Sequence, residues 1–471
     1  MDDTASELAI HGTWWIPDCP RRRRPGVLHY SADRGPELQC EGLLRQSPHV
    51  AEYPPPERLI VGRASDGTAV TIWKAWPNRV TSHSEGKGKS YPVCNYVAFG
   101  FFLGGRFPTD GDVVFDRIEA IVPPLTPWTR ARVFDSEWAE DDVHRVTYKA
   151  PPSTEVVVPG PVPGSPDALL AIEWRLTESD GWYAHSAEAA AQLSLRLGEP
   201  VPFTVLKPYF EHMLQFFELA MSLPLTAEYL TLFGPKTGRR GVRYHERLDS
   251  PPGDDEHFWM NMYFTLPDVQ VDLGRLVSTW LNNIRERGLE SVVGIHRNLL
   301  TEYATPEFRF LLVTSALETY HQRVMPAAWI EPEKAKSHRE RMLQALPDCY
   351  RAEWERRLPG AYDLSLRERL DQLSQSLAPV ANHLQMHADF MKAVVDTRNY
   401  YHHWSPRLEG KCMSPSEMVA ATAKLRVLME ALLMREAGFS SDDVVANVKR
   451  NSRALGIARY APPASLAILD D

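Results

Sequence analysis

The 471-residue chain has only five cysteines, Cys19, Cys40, Cys94, Cys349 and Cys412, and no two of them form a CxxC pair. An odd, scattered set speaks against a disulfide frame or a zinc knuckle and for reduced thiols. No window approaches the about 18 uninterrupted apolar residues of a membrane-spanning helix, so no membrane partner is expected. The start, Met1-Asp2-Asp3, lacks the apolar core of a signal peptide, and the cytoplasm is the expected compartment. Excess basic charge is missing too. Lys+Arg number 52 against 61 Asp+Glu, a net charge of −9. That removes a global field for nucleic acid but leaves room for a local basic patch. With 44% hydrophobic residues the chain can bury real cores, and its length calls for more than one.

What is present is unevenly spread. Of 38 prolines, 28 lie before residue 300. The front is punctuated by turns between β-branched and aromatic runs, such as Ala69 to Trp76 and Tyr96 to Leu103. Val113 to Val122 and Leu169 to Leu176 add more, with a Pro-rich loop expected from Pro151 to Pro166. Pro208 to Leu223 reads as a helix, and Tyr229 to Phe233 and Phe258 to Leu266 as strands. Leu273, Leu276, Val277, Trp280 and Ile284 mark a helix ended by Gly288. Thr305 to Met325 is apolar on most faces, as a central bundle helix would be. Ser414-Pro415-Ser416-Glu417 is a capping box opening a helix with Met418, Ala421, Leu425, Leu428, Met429 and Leu432 on its stripe. The expected fold class is α+β: a β-rich sandwich or partly open barrel with a helical annex (residues 1–295), an all-α bundle (296–450) and a loosely ordered tail (451–471).

The stretch richest in chemistry is Asp396-Thr397-Arg398-Asn399-Tyr400-Tyr401-His402-His403-Trp404. A helix with Leu384, Met391, Val394 and Val395 on its stripe leads into it. Arg398 continues that stripe, and an arginine there needs a partner, a ligand or an interface. Glu318, seven residues after Leu311 on the expected central helix, needs a partner too, and Arg398 or a histidine of the motif is the obvious one, as a plain ion pair or as a group that orients the arginine or tunes histidine basicity. Histidine exchanges protons near neutral pH, and arginine offers fixed donors to phosphate oxygens. In an unbroken helix Arg398 lines up with His402, and Asn399 with His403.

Arg398-Asn399 followed by His403 fits the pattern Arg-x4-His and resembles the HEPN superfamily. Gly12-Thr13-Trp14-Trp15 with Pro25 to Tyr30, and Phe310-Leu311-Leu312 with Ala316 to His321, extend this to a resemblance to ApeA-like anti-phage proteins. The resemblance implies a metal-independent endoribonuclease with no cofactor. Its RNA substrate would be cut by 2′-hydroxyl attack, and a homodimer would pair two motifs. A phage-derived trigger would act at the N-terminal domain. It also implies His403 as the catalytic ring with His402 second, a choice at odds with helix geometry unless the helix loosens near Tyr401 or a dimer cleft completes the site. Arg398, Asn399 and Glu318 complete the implied set.

Two other functions fit the same residues: a HEPN bundle serving as a dimerisation or nucleotide-binding platform, and ligand or carbohydrate recognition by the β-rich front. His383 and His387 have the i, i+4 spacing of zinc helices but lack the glutamate between them and a third ligand. Glu85 to Ser90 ends like a P-loop, yet His83 stands where a glycine is needed, so a polar hairpin is expected. Arg21 to Arg24 reads as a solvated charge run.

Overall fold

The structure is a computed structural model. It describes residues 7–45, 55–85, 89–138, 144–180, 185–248, 259–301, 304–326, 328, 331–357 and 362–459. The chain divides into two compact units, residues 1–217, 224–259 and 265–274 against 218–223, 260–264 and 275–471. The boundary expected near residue 295 falls inside the second unit.

The first unit is built on strands β1 (Glu7–Trp15), β2 (Arg24–Ser31), β3 (Gly35–Glu41), β4 (Glu57–Ala64), β5 (Ala69–Glu85) and β6 (Lys89–Leu103). All pair antiparallel. β1 pairs with β2, β2 with β3, β3 with β6, β6 with β5 and β5 with β4, and β4 returns to β1. The result is a closed six-stranded barrel, the closed form of the expected sheet, and closure removes its free edges. Alternation sets the interior: Leu38 and Cys40 point in while Gln39 and Glu41 face out. Trp14, Leu28, Tyr96 and Phe101 fill the core. Gly62 is required there, because a Cβ would lie 2.2 Å from the Trp14 ring.

Further strands extend the wall. They are β7 (Val114–Ile121), β8 (Phe134–Trp138), β9 (His144–Tyr148), β10 (Thr154–Val158), β11 (Ala168–Asp180), β12 (His185–Pro202), β13 (Leu230–Phe233) and β14 (Val242–Glu246). The order runs β10-β11-β12-β7-β13-β14-β6, and β8 and β9 form a separate ribbon. β14 joins the edge of β6 beyond β3, pairing His245 with Phe101. Two expectations change here and a third, the hairpin at Glu85 to Ser90, is met. β10 turns part of the Pro-rich loop into an edge strand. Trp259–Asn261 is a 3-10 turn rather than part of a strand. Glu85 and Lys89 close the β5–β6 hairpin, while residues 86–88 lie outside the described ones.

The helices are α1 (Leu125–Thr129), α2 (Phe203–Met221), α3 (Leu266–Val269), α4 (Leu273–Arg287), α5 (Glu290–Leu300), α6 (Pro306–Val324) and α7 (Pro332–Ala345). They continue with α8 (Asp348–Arg357), α9 (Leu366–Ser376), α10 (Ala378–His383), α11 (Ala388–His403), α12 (Pro415–Glu436), α13 (Ser441–Arg450) and α14 (Ser452–Arg459). α2 starts five residues before the expected proline, which sits within its first turns. α12 opens on the expected capping box, but it buries far more than one stripe. Val427, Ala431, Leu433 and Met434 are buried beside Leu428 and Leu432, so α12 shares the centre of the second unit with α6. α14 orders residues 452–459 of the stretch expected to be loose, and 460–471 lie outside the described residues.

Candidate functional site

α11 places the Arg398 cluster. It begins after Gln385, which turns in the left-handed region at φ 55° and ends α10. The expected single helix is therefore two, and His383 and His387 do not share a helix face. Among the described residues no group of three or more His, Cys, Asp or Glu is arranged to hold a metal ion.

Met391, Val394 and Thr397 bury one face of α11. The Thr397 hydroxyl accepts the Met413 N–H at 2.9 Å, tying the last turns to the following segment. Arg398 sits at the edge of that buried face, its side chain 18% exposed. Its Nη2 donates to Glu318 Oε2 at 3.0 Å, and its Nη1 to Asn399 Oδ1 at 3.3 Å. Glu318 comes from α6, whose neighbours Val313, Thr314 and Leu317 are buried. Such a charge-assisted contact fixes the plane of the guanidinium while leaving part of its donor fork available.

The histidines lie at the rim. α11 stays helical through His403 and ends on Trp404 in the left-handed region at φ 48°. The loosening considered near Tyr401 does not occur. An unbroken helix sets His402 one turn beyond Arg398 and His403 one turn beyond Asn399. Both rings are exposed and meet edge to face at 4.7 Å. Among the described residues neither ring hydrogen-bonds Arg398, Asn399 or Glu318. The structure thus joins Arg398, Asn399 and Glu318 directly and places the two imidazoles on the adjoining turn.

Other groups surround the site, some within the stretch already singled out and some beyond it. Tyr400, Tyr401 and Trp404 touch one another with ring centres 5.2 to 5.8 Å apart, and Trp404 is 68% exposed. Partial burial, and then the Glu307 charge, push the Tyr401 hydroxyl above its ordinary value. Arg407 and Lys411, on the 3-10 turn Pro406–Lys411, are exposed and form no ion pair among the described residues. Two cations four residues apart after a helix-ending proline were the available signal for them.

No curated protein and no solved structure matches the chain. Family models do. One for the ApeA N-terminal domain 1 matches residues 9–280, and one for the Apea-like HEPN domain matches residues 311–443, a span that holds Glu318, Arg398, His402 and His403. The first match alone covers more than half of the 471 residues, and the order of the two is the ApeA-like one. The chain belongs to the ApeA-like family of anti-phage defence proteins, with a β-rich ApeA N-terminal domain followed by a HEPN domain.

Proposed function

We propose that the HEPN domain is a metal-independent endoribonuclease and that Arg398, His403 and His402 form the core of its site. The observation that carries this reading is an arginine oriented by Glu318 beside two exposed imidazoles and the exposed cations Arg407 and Lys411. A 2′-hydroxyl attacks the adjacent phosphorus. One imidazole takes its proton, and a protonated one gives a proton to the departing 5′-oxygen. The O5′–P bond breaks as the 2′-O–P bond forms, leaving a 2′,3′-cyclic phosphate and a 5′-hydroxyl. Arg398 stabilises the charge that grows on the phosphoryl oxygens. Glu318 holds the guanidinium in place, and Asn399 supports it from the same helix.

A homodimer brings a second copy of the motif beside the first, and its imidazoles complete the acid/base set. In the cell the enzyme is cytoplasmic, and its N-terminal domain restrains it until a phage-derived trigger arrives. RNA cleavage then halts growth and limits phage spread.

Incubating the full chain with total RNA in excess EDTA tests the chemistry. Cyclic phosphate ends are expected. Arg398→Ala and His403→Ala each reduce them by at least about 100-fold, and Glu318→Gln by less. Comparing His402→Ala with His403→Ala identifies the essential ring. Cleavage that persists in the Arg398 and His403 variants, or that needs added metal, overturns the mechanism. An intact Arg398–Glu318 pair without cleavage under dimeric conditions would favour the alternative of a non-catalytic HEPN platform.

A further inference from the structure

One mouth of the six-stranded barrel holds a cavity of about 310 Å³. The starts of β1 and β5, the ends of β4 and β6, and β14 surround it. Leu8, Ile10 and Leu103 pack against the barrel core and give it an apolar floor. Its inner wall is a run of flat groups. The Arg243 guanidinium lies 4.8 Å above the Tyr229 ring. Tyr229 stands 5.5 Å from His245, and His245 stacks on Phe101 at 4.9 Å and 12°.

His245 is the anomaly. It is only 5% exposed and lines the cavity, yet neither ring nitrogen has a hydrogen-bond partner. A buried polar atom left in that state costs roughly 1–3 kcal/mol. A phenylalanine would fill the same aromatic stack without that cost. Burial, and secondarily the Arg243 charge, hold the imidazole down to about 4. It is therefore neutral at physiological pH, with one N–H to donate and one nitrogen to accept.

The rim sets the charge of what can enter. Asp66 and Glu228 oppose Arg243, so the opening carries no net positive field for a polyanion. The volume is at the small end for ligand pockets and suits a nucleoside-sized molecule.

We propose that this barrel mouth is a binding site for a neutral, planar heteroaromatic molecule of nucleobase to nucleoside size, stacked beside Tyr229, with a turn of the buried His245 ring bringing one of its closed-off nitrogens into hydrogen-bond reach of the ligand's edge. Flat rings match the Arg243–Tyr229–His245 wall, and heteroaromatic donors and acceptors match the unpartnered imidazole. The site belongs to the barrel alone and stands whether or not the HEPN domain cleaves RNA.

The test is calorimetric titration of the full chain with adenosine, guanosine, ATP and GTP. At least one nucleoside binds at a single site, more tightly than its triphosphate. His245→Phe, which keeps the stack on Phe101, weakens it by about tenfold or more. Tyr229→Ala does the same, and it replaces the His245 variant in the comparison if far-UV circular dichroism shows that variant misfolded. The proposal is overturned if neither nucleoside binds at millimolar concentration, if the triphosphates bind more tightly, or if the folded variants bind as well as the parent chain.

Discussion

Glu430 lies in the middle of α12 with no exposed surface. Its Oε1 accepts the Ser222 hydroxyl at 2.8 Å, its Oε2 accepts the Tyr263 hydroxyl at 2.6 Å, and His296 Nε2 stands 3.1 Å from Oε1. The Arg426 guanidinium is 3.7 Å away. Burial pushes this carboxyl up, but the Arg426 charge and then the His296 and Tyr263 contacts outweigh it and bring it from 4.5 to about 2. The folded value is the lower one, so the carboxylate stabilises the folded state above pH 4.5, and that contribution is lost as pH falls toward 2. At 1.36 kcal/mol per pH unit the whole contribution is about 3 kcal/mol, of which about 2 is gone by about pH 3. Glu430→Gln removes the titration and leaves Arg426 facing an amide, so it costs roughly 3 kcal/mol near neutral pH. Urea denaturation followed by far-UV circular dichroism, which weights the helical unit, measures both chains. Other carboxylates titrate in the same window, so the informative quantity is the gap between parent and variant. That gap should narrow by about 2 kcal/mol between about pH 7 and about pH 3. An unchanged gap would refute the assignment of acid sensitivity to this buried carboxylate.

Two further substitutions separate the units. Gly62→Ala forces a methyl group against the fully buried Trp14 ring and should destabilise the barrel by about 1–3 kcal/mol, read as an earlier loss of protection in hydrogen exchange of the β1 and β4 peptides. Ser414→Ala breaks a reciprocal cap, in which Ser414 Oγ accepts the Glu417 N–H while Glu417 Oε2 accepts the Ser414 N–H at 2.8 Å. It should cost about 1 kcal/mol, appear in the α12 peptides and leave the barrel peptides unchanged.

Local rules carried much of this fold. The β-branched and aromatic runs Ala69 to Trp76 and Tyr96 to Leu103 placed β5 and β6, and Ser414-Pro415-Ser416-Glu417 placed the start of α12. What stayed hidden depended on partners far along the chain. β12 is rich in alanine and leucine, which favour helix in isolation, yet it runs as an 18-residue strand between β11 and β7. Charged residues are rarely buried, which would leave Glu430, Lys424 and Glu436 of α12 at the surface. They are buried, and the hydrogen-bond partners of Glu430 lie 134 to 208 residues away in sequence. Barrel closure through β1 and β4 has the same character, because nothing in either strand names the other.

The candidate site divides along the same line. Arg398 was legible because a charge interrupts an apolar stripe, and Glu318 because a carboxylate does so on α6. Each sequence anomaly implied the other, and the two side chains meet at 3.0 Å. The histidines gave no such cue, since exposed polar residues at a helix end violate no rule. Helicity through His403 removes local unwinding as the way to bring that ring over Arg398. If His403 is the ring that matters, the phosphate it serves lies across the Asn399 side of α11, and the arginine facing it there comes from a second copy of the chain. If His402 matters, one helix supplies both groups. The paired alanine variants therefore report on more than a residue's identity: loss confined to His403→Ala favours a site shared between two chains, and loss confined to His402→Ala favours one built on a single helix.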